Sequence, residues 1–451
     1  MKSAFTFWDV LLTASLLLGA AAGVQTLSDK FNSDALNPIQ KAFGDFQLSD
    51  IVFSQLRDNP PKDMRIVLVN IGELDRAGIA KEIEIINQYK PKLIAIDARF
   101  LKAKAPEIDS ALCAAFSKVE NMVVGSKLIA NPDPERREND SIVEPIPLFR
   151  PYVQSAFVNI ITEGEDYFKT TRDIVPSDHY YKWRAIDTTF ERKMIKDTMN
   201  MIRKIKYLKK DTMVYSFPTK IAWIYDSNSV KKYLARGKDT EIINFRGNID
   251  TRKEGASPNA KLVYPVLDVE DVMTTNFVPD LIQGNIIIMG FMGANIADNR
   301  WEDKFFTPLN SNYIGKAYAD MYGVVAHANA VSMILDGDFI NEMPEWLNNI
   351  LSLLIVFFNV FFITYLFFKL KVWYEAFSNI VILMEAAALV FVVLYVFNDY
   401  DFKFDVTMPI LALFLTGNIV EIYYGMVKPG MEKIGTKFVI LRKRKQVTIK
   451  P

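Results

Sequence analysis

Cysteine and histidine are almost missing from this chain of 451 residues. It contains one cysteine, Cys113, and two histidines, His179 and His327, which are far apart in the sequence. A single cysteine cannot form an intramolecular disulfide, and so few cysteines and histidines argue against a zinc site. Cys113 lies among apolar residues at helical spacing, so a small buried side chain is its expected role. We predict no metal site and no cofactor.

An excess of charge of either sign is also missing, because 53 basic residues balance 53 acidic ones. A balanced chain offers no general electrostatic attraction for nucleic acid, so we expect no nucleic-acid partner. The sequence has no phosphate-binding glycine loop, no H-E-x-x-H and no G-x-S-x-G motif. Asp97 and Asp109 are separated by a loop that starts a helix, so they form no obvious acid pair. We therefore predict no catalytic residues and no enzymatic activity.

Long apolar runs are present, but they are confined to the two ends of the chain. One run covers 5–27, and three more cover 347–368, 377–397 and 406–425. Each has about 20 mostly apolar residues, which suits a hydrocarbon layer about 30 Å thick. The first run, with its domain boundary at 1–27, is expected to be an uncleaved anchor; a cleaved signal peptide is the alternative.

The charges beside these runs predict their orientation. Lys369 and Lys371 lie between the first two C-terminal runs, whereas the segment 398–405 between the last two is net acidic. Because positive residues stay on the cytoplasmic side, the region 28–345 is expected outside the cytoplasm, and both termini inside. The membrane region is 346–427, and a basic tail, 428–451, follows it. Its densest part is expected to bind anionic lipid headgroups, with docking of a soluble partner as the alternative; this patch is Arg442, Lys443, Arg444 and Lys445.

The region between the apolar runs alternates between strand and helix patterns. Strands are predicted at 65–72, 92–97 and 121–125, and helices at 79–89 and 108–118. This alternation predicts an α/β fold with a mostly parallel sheet and crossover helices, beside an α-helical transmembrane region. The later segments 241–245 and 285–290 are expected to join the same sheet, and the basic segment 194–210 to form a solvated surface helix.

Parallel sheets bind ligands beyond the carboxyl ends of their strands. Asp97 and Asp298 are the acidic candidates there, with helix capping or loop ordering as the alternative role. His327 is a further candidate, with helix packing as its alternative. Glu385 lies within an apolar run, where a carboxyl group must contact protein or water, and a contact between helices is its expected role. The complete predicted rim of the ligand site, for an unknown small molecule, is Asn70, Glu73, Asp97, Met292, Asn295, Asp298 and His327.

Several short stretches follow one another in a characteristic order. The most specific are Ile286-Ile287-Ile288-Met289-Gly290 and the later Gly323-Val324-Val325-Ala326-His327-Ala328-Asn329-Ala330. The others are Asn70-Ile71, Pro91-Lys92-Leu93-Ile94-Ala95-Ile96-Asp97, Ala156-Phe157-Val158-Asn159, Ile243-Asn244-Phe245-Arg246-Gly247 and Tyr264-Pro265-Val266-Leu267-Asp268-Val269. Together with the apolar runs that follow, they resemble the second CHASE class, extracellular sensory domains found with cyclases and histidine kinases. The resemblance covers roughly residues 40–425 and implies a sensory domain in a bacterial inner membrane.

Members of that family commonly continue into a cyclase, kinase or phosphatase-like output domain. Here about 26 residues follow Gly425, too few for a catalytic domain. We therefore expect a sensor that signals or assembles through a partner, either a second copy or a separate membrane or envelope protein. The alternative is a structural or accessory subunit of a larger cell-envelope complex. In either case, the strand at 286–290 and the His327 helix would link the domain to the first C-terminal run.

Overall fold

The chain forms two compact units, one comprising Phe53–Ile340 and the other Met1–Val52 with Asn341–Pro451. The computed structural model describes residues 5–30, 48–130, 139–162, 170–195, 198–250, 261–298, 302–310 and 319–434. Its helices are α1 (Phe7–Lys30), α2 (Leu48–Ile51), α3 (Arg76–Asn87), α4 (Pro106–Lys118), α5 (Phe217–Tyr225), α6 (Ser227–Leu234), α7 (Val269–Met273), α8 (Gly323–Asp336), α9 (Glu345–Leu370), α10 (Tyr374–Tyr400) and α11 (Thr407–Ile422).

Strands form the centre of the Phe53–Ile340 unit. They are β1 (Ile66–Asn70), β2 (Leu93–Ile96), β3 (Met122–Ala130), β4 (Asn139–Val143), β5 (Gln154–Phe157), β6 (Asp173–Ile174), β7 (Ser177–Ile195), β8 (Thr198–Tyr215), β9 (Glu241–Ile242), β10 (Asn248–Ile249), β11 (Leu262–Tyr264), β12 (Val266–Leu267), β13 (Ile286–Gly290), β14 (Lys304–Phe305) and β15 (Met321–Tyr322).

The main sheet has a parallel core in the order β12-β1-β13-β2-β3, and β5 pairs with the first half of β3 in the same direction. The second half of β3 pairs antiparallel with β4. The prediction of a mostly parallel sheet with crossover helices is therefore confirmed. Strand β13 comes late in the chain but inserts between β1 and β2, with Leu68 opposite Ile288 and Ile288 opposite Ala95.

Helices cover both faces of this sheet, which is why its strands are apolar throughout. Alternate residues of the parallel strands, such as Val69, Ile96 and Met289, share one core with α3, α4 and α7. The residues between them face α5 and α8, which contact the other side of the sheet. Ile288 and Leu68 are fully buried there. Burial of each such side chain stabilises the fold by about 1.5–3 kcal/mol.

Helix α8 is apolar around its whole circumference, as expected of a core helix. Its residues from Gly323 to Ile334 are all buried, and its last residue, Asp336, is followed by Gly337, whose positive φ of 69° suits a left-handed C-cap. It lies close to the sheet because Gly290 has no side chain. A Cβ atom at position 290 would lie 2.9 Å from Cβ of Val324.

Two secondary-structure predictions are wrong. Of the predicted surface helix 194–210, residues 194–195 and 198–210 are in strands instead, because they belong to β7 and β8, which pair antiparallel. The segment 241–245 does not join the main sheet, because β9 pairs antiparallel with β6 in a separate sheet. The chain that follows β9 is hydrogen-bonded to α8: the backbone N–H of Arg246 donates to Oδ1 of Asn329 at 2.8 Å.

The second unit is built from helices. Val10 and Leu17 of α1 pack with Val360 of α9 and Ala412 of α11, and a neighbouring cluster joins α9, α10 and α11. Two helical stretches of the described chain are long and apolar enough to cross a membrane, 345–400 and 407–434. The first contains both α9 and α10, which are separated by a 3-10 turn at Lys371–Trp373.

Two short strands, Asn341–Glu342 and Phe402–Lys403, pair in this unit beside the ends of its helices. Large apolar side chains cover its exterior; Phe358 and Phe391 are examples, exposed by 64% and 68%. An apolar exterior of this kind suits contact with lipid.

Candidate functional site

The carboxyl ends of β12, β1 and β13 are joined by a hydrogen-bond network centred on Asn70. Its Nδ2 donates to Oδ1 of Asp268 at 2.9 Å and to the carbonyl oxygen of Gly293 at 3.1 Å. Its Oδ1 accepts from the backbone N–H groups of Gly72 and Met292, at 3.0 Å and 2.8 Å. Because Asn70 is fully buried and all these groups are paired, it holds three loops together and presents nothing to a ligand.

Asp298 also orders a loop. Its Oδ2 accepts from the backbone N–H of Ala294 at 3.0 Å, next to Gly293, whose φ is 88°. Asn295 is exposed, and its carbonyl oxygen accepts from the backbone N–H of Asp298 at 2.9 Å. Glu73 is exposed as well. These residues lie at the predicted edge of the sheet, but the described cleft is not lined by them.

That cleft lies beyond β2, β3 and β5, at the same edge. It has a volume of about 510 Å³, within the range of small-molecule sites. Asp97 follows β2 directly, and Lys127 lies in β3 just past the last residue that pairs with β5. Asp303 and Gly323 also line it; Gly323 is the first residue of α8, and its backbone N–H donates to the carbonyl oxygen of Asp303. The remaining lining residues are Ala98, Arg99, Val158, Asn159, Ile160 and Phe305.

Asp97 is recessed in this cleft, with 14% of its side chain exposed, and His327 lies behind it. Oδ2 of Asp97 is 3.7 Å from Nε2 of His327, which is too long for a hydrogen bond. Nε2 is buried and has no hydrogen-bond partner among the described residues. The His327 ring packs against Phe217 of α5, with 5.2 Å between the ring centroids. The fold therefore brings together two predicted site residues that are far apart in sequence.

Burial shifts the pKa of both groups toward their neutral forms. Burial and, to a smaller extent, the nearby Asp303 raise the pKa of Asp97 to about 7, while Arg99 opposes the shift. Burial lowers the pKa of His327 to about 4. At neutral pH the imidazole is therefore uncharged, and its contact with Asp97 is not an ion pair.

Three charged lining residues are not in the predicted rim. Arg99 and Lys127 are exposed, and neither forms an ion pair with another described residue. Lys127 could not be assigned because β3 runs to Ala130, beyond the predicted end of that strand at 125. Asp303 has a φ of 59°, an uncommon value for a residue with a side chain, and its carbonyl oxygen accepts from the backbone N–H of Gly323. Its position beside Glu302 in the polar loop that precedes α8 was a usable signal.

Glu385, the predicted intramembrane polar residue, contacts a neighbouring helix. Nδ2 of Asn359 in α9 donates to Oε2 of Glu385 in α10. An amide and a carboxyl group can satisfy one another in this way where water is scarce. The other predicted polar feature, the basic patch at 442–445, lies outside the described residues.

A comparison with protein-family models matches the CHASE2 domain over residues 20–368. The chain belongs to the CHASE2 domain family. CHASE2 domains are sensory extracellular domains, in agreement with the resemblance seen in the sequence. The match contains every residue of the cleft and ends within α9. Neither the curated proteins nor the solved structures contain a significant match.

Proposed function

We propose that this CHASE2 protein is a membrane-anchored sensor whose domain, 53–340, lies outside the cytoplasm of a bacterial cell and binds a small molecule in the cleft beside Asp97. The bound state passes through the inner-membrane helices to a partner, either a second copy or another membrane protein. The observation that carries the proposal is the recessed Asp97 carboxyl group, which receives no hydrogen bond from a described residue and faces a cleft of about 510 Å³. A buried polar group without a partner is costly, and a ligand that supplies the partner gains affinity.

Helix α8 supports a route from the cleft toward the membrane region. It begins at Gly323, which lines the cleft, and it carries His327 behind Asp97. It ends at Asp336, and residues 337–344 connect it to α9. Because α8 is buried along its length, a ligand that repositions its first turn moves it as a rigid element.

A thermal-shift screen of the full chain in lipid nanodiscs tests the binding step. A compound that binds the folded domain at 100 times its Kd adds about 2.7 kcal/mol to the free energy of unfolding. We expect a stabilising compound whose effect disappears in Asp97→Asn and is retained in the control Asp280→Asn, an exposed carboxyl outside the cleft. A shift of equal size in Asp97→Asn would place the ligand elsewhere and contradict the proposal.

The transmission step is tested by co-purification with the stabilising compound and without it. A partner, or a second copy, whose recovery changes with the compound supports sensing. Recovery of the same complex at the same yield in both conditions would instead identify a constant structural subunit.

A further inference from the structure

The cleft carries opposite charges at different depths. Asp97 lies at its floor and is mostly covered, whereas Arg99 and Lys127 are exposed at its rim. Among the described residues, none donates a hydrogen bond to the Asp97 carboxyl group, and neither rim cation has an ion-pair partner. The floor therefore offers an acceptor, and the rim offers donors.

A ligand complementary to both depths has a donor group at one end and an anionic group at the other. An ammonium group matches Asp97, because a charge-assisted hydrogen bond offsets the desolvation of that carboxylate. A carboxylate group matches Arg99 and Lys127. Val158 and Phe305 supply apolar parts of the cleft wall.

We propose that the cleft binds a small zwitterion, with its ammonium group against the Asp97 carboxylate and its carboxylate group against Arg99 and Lys127. This deepens the proposed sensory function and rests on it, since it names the chemical class that the same cleft recognises.

The protonation of Asp97 separates this ligand class from a simple anion. Four charged or titratable groups surround Asp97: Arg99, Asp303 and Lys127 line the same cleft, and His327 of α8 lies 3.7 Å from it. Above about pH 7 the carboxylate is ionised and accepts from an ammonium group; below it, the neutral carboxyl group donates to an anion. His327 stays neutral throughout pH 6–8, because burial lowers its pKa to about 4. Zwitterion binding therefore strengthens from pH 6 to pH 8, whereas anion binding weakens.

Isothermal titration of the full chain in nanodiscs uses a series of ω-amino acids from glycine to 6-aminohexanoate. Each is compared with the matching carboxylic acid, which lacks the amine, and the matching amine, which lacks the carboxylate. At least one zwitterion is expected to bind about tenfold or more tightly than either half-molecule, and more tightly at pH 8 than at pH 6. Asp97→Asn and Lys127→Gln are each expected to weaken that binding about tenfold. Lys92→Gln is the matched control, since Lys92 is exposed at the opposite end of β2.

Three results would overturn the assignment. If the acid binds as tightly as the zwitterion and more tightly at pH 6, the cleft is an anion site. If the amine alone binds as tightly as the zwitterion, the cleft is a cation site. If no member of the series binds, while the screen yields another compound that depends on Asp97, the sensory function stands and the zwitterion assignment fails.

Discussion

At the scale of single residues, the pair of Asp97 and His327 is distinctive because burial disfavours charge on both. Burial raises the pKa of Asp97 from 3.8 to about 7 and lowers the pKa of His327 from 6.5 to about 4. Between about pH 4 and pH 6.5, both groups are neutral in the folded chain and charged in the unfolded chain. In that window, a rise in pH therefore lowers the contribution of Asp97 to the free energy of unfolding and raises that of His327, so the two effects largely cancel.

Substituting one member of the pair should remove this cancellation, so that stability depends on pH through the other member. A raised folded pKa means that the contribution of Asp97 to stability falls as pH rises from about 4 to about 7. The stability of Asp97→Asn relative to the native chain should therefore rise across that window, by up to about 1.4 kcal/mol per pH unit. A lowered folded pKa means that the contribution of His327 falls as pH drops from 6.5 to about 4, so His327→Gln should gain relative stability toward acid.

Unfolding of the full chain in detergent, measured at pH 4.5, 6 and 8, checks both directions. For the exposed control Asp280→Asn, the difference in free energy of unfolding from the native chain should not change with pH in either of these ways. Parallel pH profiles for Asp97→Asn and the native chain would show that Asp97 is not desolvated as described.

Gly290 gives a second prediction at this scale. A methyl group there would meet Cβ and Cγ2 of Val324 at 2.9 Å and 3.0 Å. Because strand and helix are both buried, Gly290→Ala should lower the free energy of unfolding by about 1–3 kcal/mol. Adding Val324→Ala should recover part of that loss, and a double-mutant cycle measures the coupling. Additive losses would mean that the two positions do not meet.

At the scale of secondary-structure elements, α8 and the helices of the second unit differ in what surrounds them. Helix α8 is enclosed by protein, whereas α9 and α10 bury one side and expose large apolar side chains on the other. Apolar length alone does not distinguish a core helix from a membrane helix. Within α9 and α10, the contact between Asn359 and Glu385 is a polar link between the two helices.

This link makes a specific prediction about Glu385. Glu385→Gln keeps an oxygen that can accept from Asn359, so its thermal stability in detergent should stay near that of the native chain. Glu385→Leu leaves the Asn359 amide without this acceptor and should cost about 1–3 kcal/mol. If Glu385→Gln is as destabilised as Glu385→Leu, the carboxylate charge has a role beyond the contact between helices.

At the scale of the whole molecule, the helical unit includes the N-terminal helix as a packed member. Asp9 of α1 accepts hydrogen bonds from the hydroxyl group of Tyr423 at 3.0 Å and from Nζ of Lys428 at 2.9 Å. Thr6 donates to the same carboxylate through its backbone N–H at 2.8 Å. These bonds join α1 to the apolar stretch 407–434, and that α1 stays in the mature protein as an uncleaved anchor remains a prediction.

The proposed topology predicts which positions an impermeant thiol reagent reaches. Since Cys113 is the only cysteine of the chain, Cys113→Ser provides a background without thiols. In intact cells, a cysteine introduced at the exposed Lys92 should be labelled from outside, whereas one at Lys371 should be labelled only after the membrane is permeabilised. An N-terminal tag should remain on the mature protein. Labelling of position 371 in intact cells would invert the topology.

Local patterning determined much of the fold. Strands β1, β2 and β13 are short, uninterrupted apolar runs of the kind that a doubly covered parallel sheet requires. The pattern of α3 and α4 identified them within a few residues. The family followed from the order of short motifs such as that of β13 and α8, because each motif reports a local structural requirement. The segment 241–245 was misassigned because β9 pairs with β6, a partner distant in sequence that local periodicity does not contain. The segment 194–210 was misassigned because its basic residues were interpreted as the solvated face of a helix, whereas β8 pairs with the adjacent β7.

Which residues line the cleft depends on the tertiary structure. The sequence indicated the edge of the sheet where this cleft lies and included Asp97 and His327 among its candidates. It could not separate them from Asn70, whose side chain forms all its hydrogen bonds with three loops. That distinction depends on β13 inserting between β1 and β2 and on α8 placing His327 behind Asp97. A side chain's local sequence identifies its chemistry, but burial and the neighbours supplied by distant segments determine whether it orders a loop or faces a cleft.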